Sequence, residues 1–103
     1  PEPGDSLFNN IYLSLFIRRG SLFPNLLVGS NLHKIKKVTA TSVEQAKDYI
    51  FDALDWIVKL GRIMDLGVVT QKDHENINRI NIQISAKKPD NSEVSFTFFY
   101  SIV

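Results

Sequence analysis

The fold is decided by Arg79-Ile80-Asn81-Ile82-Gln83-Ile84-Ser85-Ala86 and Val94-Ser95-Phe96-Thr97-Phe98-Phe99-Tyr100-Ser101-Ile102, which flank Lys88-Pro89-Asp90-Asn91. In the first run Ile80, Ile82, Ile84 and Ala86 alternate with Arg79, Asn81, Gln83 and Ser85, the period of two that gives a strand one buried and one wet face. Val94, Phe96, Phe98, Tyr100 and Ile102 repeat it. Between the runs, Pro89 presets its own backbone angle and Asn91 tolerates the left-handed region, which is turn chemistry. The two strands therefore form a hairpin whose apolar faces coincide, and that face must be covered.

The cover is found upstream. Val43, Ala46, Ile50, Ala53, Leu54, Ile57 and Leu60 recur at steps of three and four, which predicts an amphipathic helix over 42–60. Thr41 and Glu44 have the spacing of a capping box, Gly61 supplies the stop, and Asp55 and Lys59 are placed for an i to i+4 ion pair. Tyr49 and Trp56 widen the apolar face, where aromatics serve as core or as interaction hot spots. A further strand is predicted at about 63–70, then a polar turn from Gln71 to Asn76, with the hairpin strands at 77–87 and 93–102.

Near the amino terminus, Ile11 to Ile17 has a strand's composition, while Leu7, Ile11, Leu15 and Phe8, Tyr12, Phe16 fall at helical spacing. Asp5 or Ser6 as a cap, Gly20 as an ending and Arg18 and Arg19 at the negative dipole end favour a helix over about 6–18. Pro24 biases Phe23 away from helix, so 21–28 reads as an irregular connector. Gly29-Ser30 then caps a short helical segment over 30–37, with Leu32 and Ile35 inward and Lys34, Lys36 and Lys37 outside. The expected architecture is α+β: two or three helices packed on one face of a three-stranded antiparallel sheet, with Ile50, Leu54, Trp56, Ile57, Ile82, Phe96 and Phe98 in the core.

At 103 residues, with 44% apolar and 22% charged side chains, the chain has the size and balance of one globular domain, and residues 1–103 are expected to form it. Pro1-Glu2-Pro3-Gly4, in place of an initiating methionine, reads as a trimmed lead, and residues 1–5 are expected to be disordered. Twelve basic against eleven acidic residues leave a formal charge of +1, so no global field draws nucleic acid or an anionic membrane. Without cysteine there is neither a disulfide framework nor a thiolate metal site. The longest apolar stretch, Ile11 to Ile17, is interrupted by Ser14 and is too short to span a bilayer.

Four stretches resemble the small baseplate protein of Mu-like phages and prophages. Leu13-Ser14-Leu15-Phe16 with Arg18-Arg19 resembles that family's first helix and the basic loop after it, and Gly29-Ser30-x-Leu32 resembles the turn opening its second helical segment, where tryptophan is usual at the place of His33. Ala46, Tyr49, Ala53-Leu54 and Trp56 are spaced as in its long helix. Lys88-Pro89-Asp90-Asn91 is similar to its hairpin turn, with asparagine for the usual glycine. Together these span nearly the whole chain. The resemblance implies kinship with sheath-initiator and wedge subunits of contractile tails and type VI secretion baseplates, helices packed on a small antiparallel sheet, and it too favours a helix at 7–18. It implies a structural role, with baseplate wedge and sheath subunits as partners, first in the bacterial host cytoplasm during assembly and then in the virion tail baseplate. Relatives carry a Glu-Pro-Arg-like motif after the first helix; Phe23-Pro24-Asn25 keeps its proline, so Pro24 is a candidate partner contact.

Some distant relatives are labelled lysozyme-like, which makes a cell-wall hydrolase the alternative to test on the carboxylates. That chemistry needs two carboxyls roughly 5 to 9.5 Å apart in environments that separate their pKa values. Glu44, Asp48, Asp52 and Asp55 all lie on the polar side of the predicted long helix, where common hydration keeps them alike, and Asp65, Asp73, Glu75, Asp90 and Glu93 fall at turns or strand ends. His33 and His74 belong to no spaced ligand set, His33 reading instead as a partly buried ring beside the long helix, and neither a phosphate loop nor a serine with a base and orienting acid is found. The expectation is a protein that is not an enzyme and has no catalytic residue, metal, cofactor or small-molecule substrate. His33-Lys34-x-Lys36-Lys37 is the one basic cluster; lacking interleaved aromatics it makes a small nucleic-acid-binding domain a further, weaker alternative, and neither nucleic acid nor membrane is an expected partner.

Phe99 breaks the alternation of the last strand. Its neighbours Phe98 and Tyr100 face the core, so Phe99 must point outward with Ser95, Thr97 and Ser101. This face, or the unpaired edge of the same strand, is the candidate partner-binding surface.

Overall fold

The computed structural model describes residues 3–20 and 29–102, with side chains from Leu7 onward in the first segment. The connector at 21–28, and with it Pro24, lies outside the described residues. Helix α1 (Pro3–Phe16) is followed by a 3-10 turn (Leu32–Lys34), helix α2 (Ala40–Lys59) and strands β1 (Asp65–Lys72), β2 (Arg79–Lys87) and β3 (Glu93–Ser101). The strands lie in the order β1-β2-β3, both pairings antiparallel. This is the predicted α+β architecture of helices packed on a three-stranded antiparallel sheet.

Register fixes what each sheet face carries. Thr70, Ile82 and Phe98 lie abreast on the inner face, as do Val68, Ile84 and Phe96; Gln71, Asn81 and Phe99 form one outer row and Val69, Gln83 and Thr97 the next. Ile80, Ile82, Ile84 and Ala86 of the central strand are all buried, as the alternation predicts. Two strand starts shift. Ile63, predicted to open β1, is a buried plug just before it, and Ile77 and Asn78, predicted to open β2, belong to the turn. Gln71 and Lys72, predicted as turn, are instead paired with Asn81 and Ile80.

Helix α2 buries Val43, Ala46, Ile50, Ala53, Leu54 and Ile57. Leu60, which the spacing puts on the same stripe, is 66% exposed because it is the C-cap residue, where the stripe has run out. The helix ends at Gly61 in a Schellman arrangement: with φ +80, Gly61 donates its N–H to the Val58 carbonyl at 2.9 Å and Arg62 donates to Ile57 at 3.3 Å. The start differs from the predicted box at Thr41 and Glu44. Thr39 is the cap, its Oγ1 accepting from the Ser42 N–H at 3.0 Å while Ser42 Oγ accepts from the Thr39 N–H at 2.7 Å. The flanks explain the choice. A box at Thr39 sets Val38 and Val43 at the staple positions, and both pack into the core; a box at Thr41 would set the exposed Ala40 and Gln45 there. The Asp55–Lys59 pair forms at 3.0 Å on the exposed side, worth only about 0.2–0.5 kcal/mol.

Helix α1 has two apolar faces. Leu7, Ile11 and Leu15 are buried in the core, while Phe8, Tyr12 and Phe16 lay their rings along the inner side of β3. Its first residue is Pro3, and proline at a helix's first position has a preset φ and no N–H left unpaired. Trp56 and Phe96, expected in the core, are only partly buried against it. The Trp56 indole remains at the helix interface because its Nε1 donates to Ser14 Oγ at 2.9 Å, and Ser14 in turn donates to the Asn10 carbonyl at 2.6 Å.

Gly20 does not cap α1, although its φ is +83. The chain leaves the helix at Ile17 to pair with Ser30, whose N–H donates to Ile17 at 2.9 Å and whose carbonyl accepts from Arg19 at 3.1 Å. Arg19 is turned away from the dipole: it pairs with Asp52 of α2 at 2.5 Å and also donates to the Gly29 carbonyl. Ser30 Oγ donates to the Leu15 carbonyl and accepts from Leu32 N–H, tying α1 to the following turn. The helix predicted over 30–37 shrinks to Leu32–Lys34 because Asn31 at its cap makes no side-chain bond and Ile35 is already extended. Leu32 and Ile35 are nonetheless buried and Lys34, Lys36 and Lys37 exposed, as predicted.

Gly29 sits at the crossing, with φ +105, where an added Cβ would lie 2.5 Å from the Ile17 carbonyl oxygen and 2.8 Å from the Arg19 nitrogen. Backbone cannot yield cheaply there. Gly29→Ala is expected to cost at least ~2 kcal/mol in urea denaturation. Gly20→Ala, with positive φ but nothing within 4 Å, should cost about 1 kcal/mol. Equal losses would show that the crossing is not the constraint.

Candidate interaction surface

The outer face of the sheet carries three successive rows without a formal charge: Gly67, Ser85, Ser95; Val69, Gln83, Thr97; and Gln71, Asn81, Phe99. Charge is confined to the ends, with Asp65, Lys87 and Glu93 at one and the paired Asp73 and Arg79 at the other. A face meant only for water ordinarily mixes charges of both signs, whereas interface centres are depleted of them. Val69 is 50% and Phe99 53% exposed, so the apolar area in these rows is open.

The candidate residues Phe99, Ser95, Thr97 and Ser101 lie together on this face and all are exposed. Phe99 is less free than an isolated ring, since the Arg79 guanidinium stands 4.9 Å from its centroid. Arg79 is itself fixed through Nη2 to Asp73 Oδ1 at 3.2 Å. The edge belongs to the same residues. Lys88 N–H donates to Ser92 at one end of the hairpin and Ile102 N–H to Asn78 at the other, which sets the phase of the β2–β3 ladder. Even-numbered residues of β3 therefore bond to β2, and the backbone groups of Ser95, Thr97, Phe99 and Ser101 point outward from the sheet.

Asp73, which sequence reading left as one of several turn acids, organises the β1–β2 turn. Its carboxylate accepts from the Asn76 and Glu75 N–H groups at 2.7 and 3.0 Å, from Arg79 and from the Asn81 amide. Asn76 Oδ1 accepts from Asn78 N–H at 2.9 Å, and the turn closes with Asp73 N–H on the Arg79 carbonyl and Arg79 N–H on Asn76. At its tip stands Ile77, 83% exposed. The spacing Asp73-x-x-Asn76 was the available signal for such a turn. Arg79 as the surface partner of Phe99, and Val69 as a second exposed apolar residue of the same face, escape a reading of the sequence because only strand register brings them there.

His33, expected as a partly buried ring, is half-buried: it lines a cleft with Arg18 and Tyr100 at the end of β3, with Nδ1 buried and unpartnered among the described residues. Burial in that cleft pushes the Tyr100 hydroxyl up, partly offset by Arg18. Among the described residues, no cluster of three or more His, Asp or Glu could hold a metal ion. Glu44, Asp48, Asp52 and Asp55 line the solvent side of α2 as predicted, all exposed.

The donors on Asp73, the backbone N–H of Asn76 foremost, lower its pKa from 3.8 to about 2. The unfolded chain binds the proton more readily, so the stabilisation from this carboxylate is full above pH 3.8 and is lost as pH falls through about 2. Asp73→Asn should lower the melting temperature at neutral pH, with the gap to wild type narrowing over that acid window. A gap that stays constant with pH would remove Asp73 from this role.

No protein-family model matches the sequence, and no curated protein matches it significantly. Among solved structures, the chain is similar to a Geobacter sulfurreducens protein to which the name tail lysozyme has been provisionally given, with a TM-score of 0.81 at 17% identity, over 100% of this chain and 94% of that one. At that identity the likeness establishes a shared fold along the full length of the chain.

Proposed function

We propose that this chain is a structural subunit of a contractile phage or prophage tail baseplate, acting as one domain that binds neighbouring wedge and sheath proteins through the outer face and free edge of its sheet. The observation that carries the reading is the charge-free outer face continuous with the outward backbone groups of β3. Inner-face side chains are committed to the core, so this is where another chain can be met without unfolding anything. The Geobacter neighbour's provisional name, which refers to a tail, supports the setting. Assembly would take place in the host cytoplasm, ahead of incorporation into the virion. No helix among the described residues is long and apolar enough to cross a membrane.

Binding to the sheath and wedge proteins encoded in the same genome, followed by calorimetry, tests this. Phe99→Asp should weaken one of these complexes at least ~10-fold by replacing the exposed ring of the face with a carboxylate. Thr97→Pro removes an outward N–H without breaking the ladder to β2 and should weaken binding if pairing runs through the backbone. Unchanged affinity in both variants would overturn the surface, and no complex with any tail protein would overturn the role.

The neighbour's name also raises cell-wall cleavage as a second reading. A general acid needs a carboxyl held above its ordinary pKa. Asp73 and Asp90 are displaced the other way, Asp90 lowered by the Ser92 hydroxyl and amide, and Asp52 is paired with Arg19. Purified protein is expected to leave peptidoglycan suspensions turbid from acidic to neutral pH. Clearing that is lost on substitution of one carboxylate would instead establish the enzyme.

A further inference from the structure

Ile77 is the most exposed of the large apolar residues described, at 83%. A single exposed apolar side chain is ordinary on a protein surface. Two features set this one apart. A β-branched residue has no advantage at a turn tip, where glycine, asparagine and aspartate supply the geometry. The turn that carries it is also held unusually firmly, by the four donors on Asp73, the Asn76 to Asn78 bond and the two backbone closures between Asp73, Asn76 and Arg79. All those bonds are made by polar groups, so the isoleucine side chain contributes nothing to shaping the turn.

Rigid presentation of an apolar group lowers the ordering cost of burying it against a partner. The turn also adjoins the proposed docking face. Ile102 N–H donates to the Asn78 carbonyl at 2.7 Å, and Arg79 links the Asp73 carboxylate to the Phe99 ring, so the tip and the outer face share one fixed framework. We infer that the β1–β2 turn is a preformed plug that seats Ile77 in an apolar socket of the same neighbouring tail protein that covers the outer sheet face; this rests on the baseplate reading. The flanking Asn76 and Asn78 amides call for a socket rimmed by uncharged hydrogen-bonding groups. A membrane suits the tip poorly, because the acidic residues Asp73 and Glu75 lie beside it and no Trp, Tyr or Lys anchor lies in the turn.

The test uses the whole chain and the sheath and wedge proteins of its genome. Ile77→Asn should leave the melting temperature unchanged yet weaken the complex at least ~10-fold, while Ile77→Val retains most of the affinity. Asp73→Asn, which keeps the side chain but loosens its mount, should weaken binding less than Ile77→Asn. A photo-reactive diazirine residue at 77 should cross-link to one apolar site on the partner in assembled tails. If Phe99→Asp weakens binding while Ile77→Asn does not, the plug is wrong and the sheet surface stands. Cross-links confined to lipid or to a second copy of this chain also overturn the plug. Absence of any complex removes the baseplate reading and the plug with it.

Discussion

The arrangement depends on the contact between two aromatic stripes. Phe8, Tyr12 and Phe16 of α1 meet Phe96, Phe98 and Tyr100 of β3, with Phe8 5.4 Å from Phe96 and Phe16 5.9 Å from Phe98, centroid to centroid. Each such pair adds roughly 0.5–1.5 kcal/mol beyond the area it buries. The stripe needs the period of a helix on one side and of a strand on the other, so it fixes both elements at once. It also divides the labour of covering the sheet. Helix α2 packs beside β1, where Thr70 Oγ1 donates to the Val43 carbonyl, and α1 takes the β3 side.

This division determines where function can reside. With the inner side of β3 occupied by α1, the outer face and the edge of the strand are uncovered among the described residues, and the ladder phase gives both to the same four residues. An open edge rich in aromatic residues is a hazard for a protein that stays alone. The hazard falls away where another chain covers the edge, which is why the proposed contact is placed there.

The hairpin and the long helix were legible because their periods are strong and their apolar residues have one use. The exposed aromatic at Phe99 was legible by the same rule, since breaking an alternation forces a side chain to the other face. What escaped was set by tertiary context. Thr39 and Thr41 are both competent caps, and the choice rests on where Val38 and Val43 can be buried. Gly20 and Gly29 both take positive φ, yet only Gly29 is hemmed in by backbone. His33 and Tyr100 share a cleft although 67 positions separate them in sequence, a proximity no local pattern encodes. Asp73 was hardest, because a turn carboxylate ordinarily faces water and only the fold shows how many donors converge on it.

Arg79 links the β1–β2 turn to the outer face of the sheet. It closes the β1–β2 turn through its backbone, holds Asp73 through its guanidinium and lies over Phe99 with the same group. A cation over a ring and against a carboxylate gains from both, and each contact restricts the side chain for the other. The Phe99 ring is thereby held in place before any partner arrives, as the turn is by Asp73. With the exposed ring and the projecting tip anchored through one arginine, the two form a single rigid feature, and a chain that fitted both would be oriented as well as held.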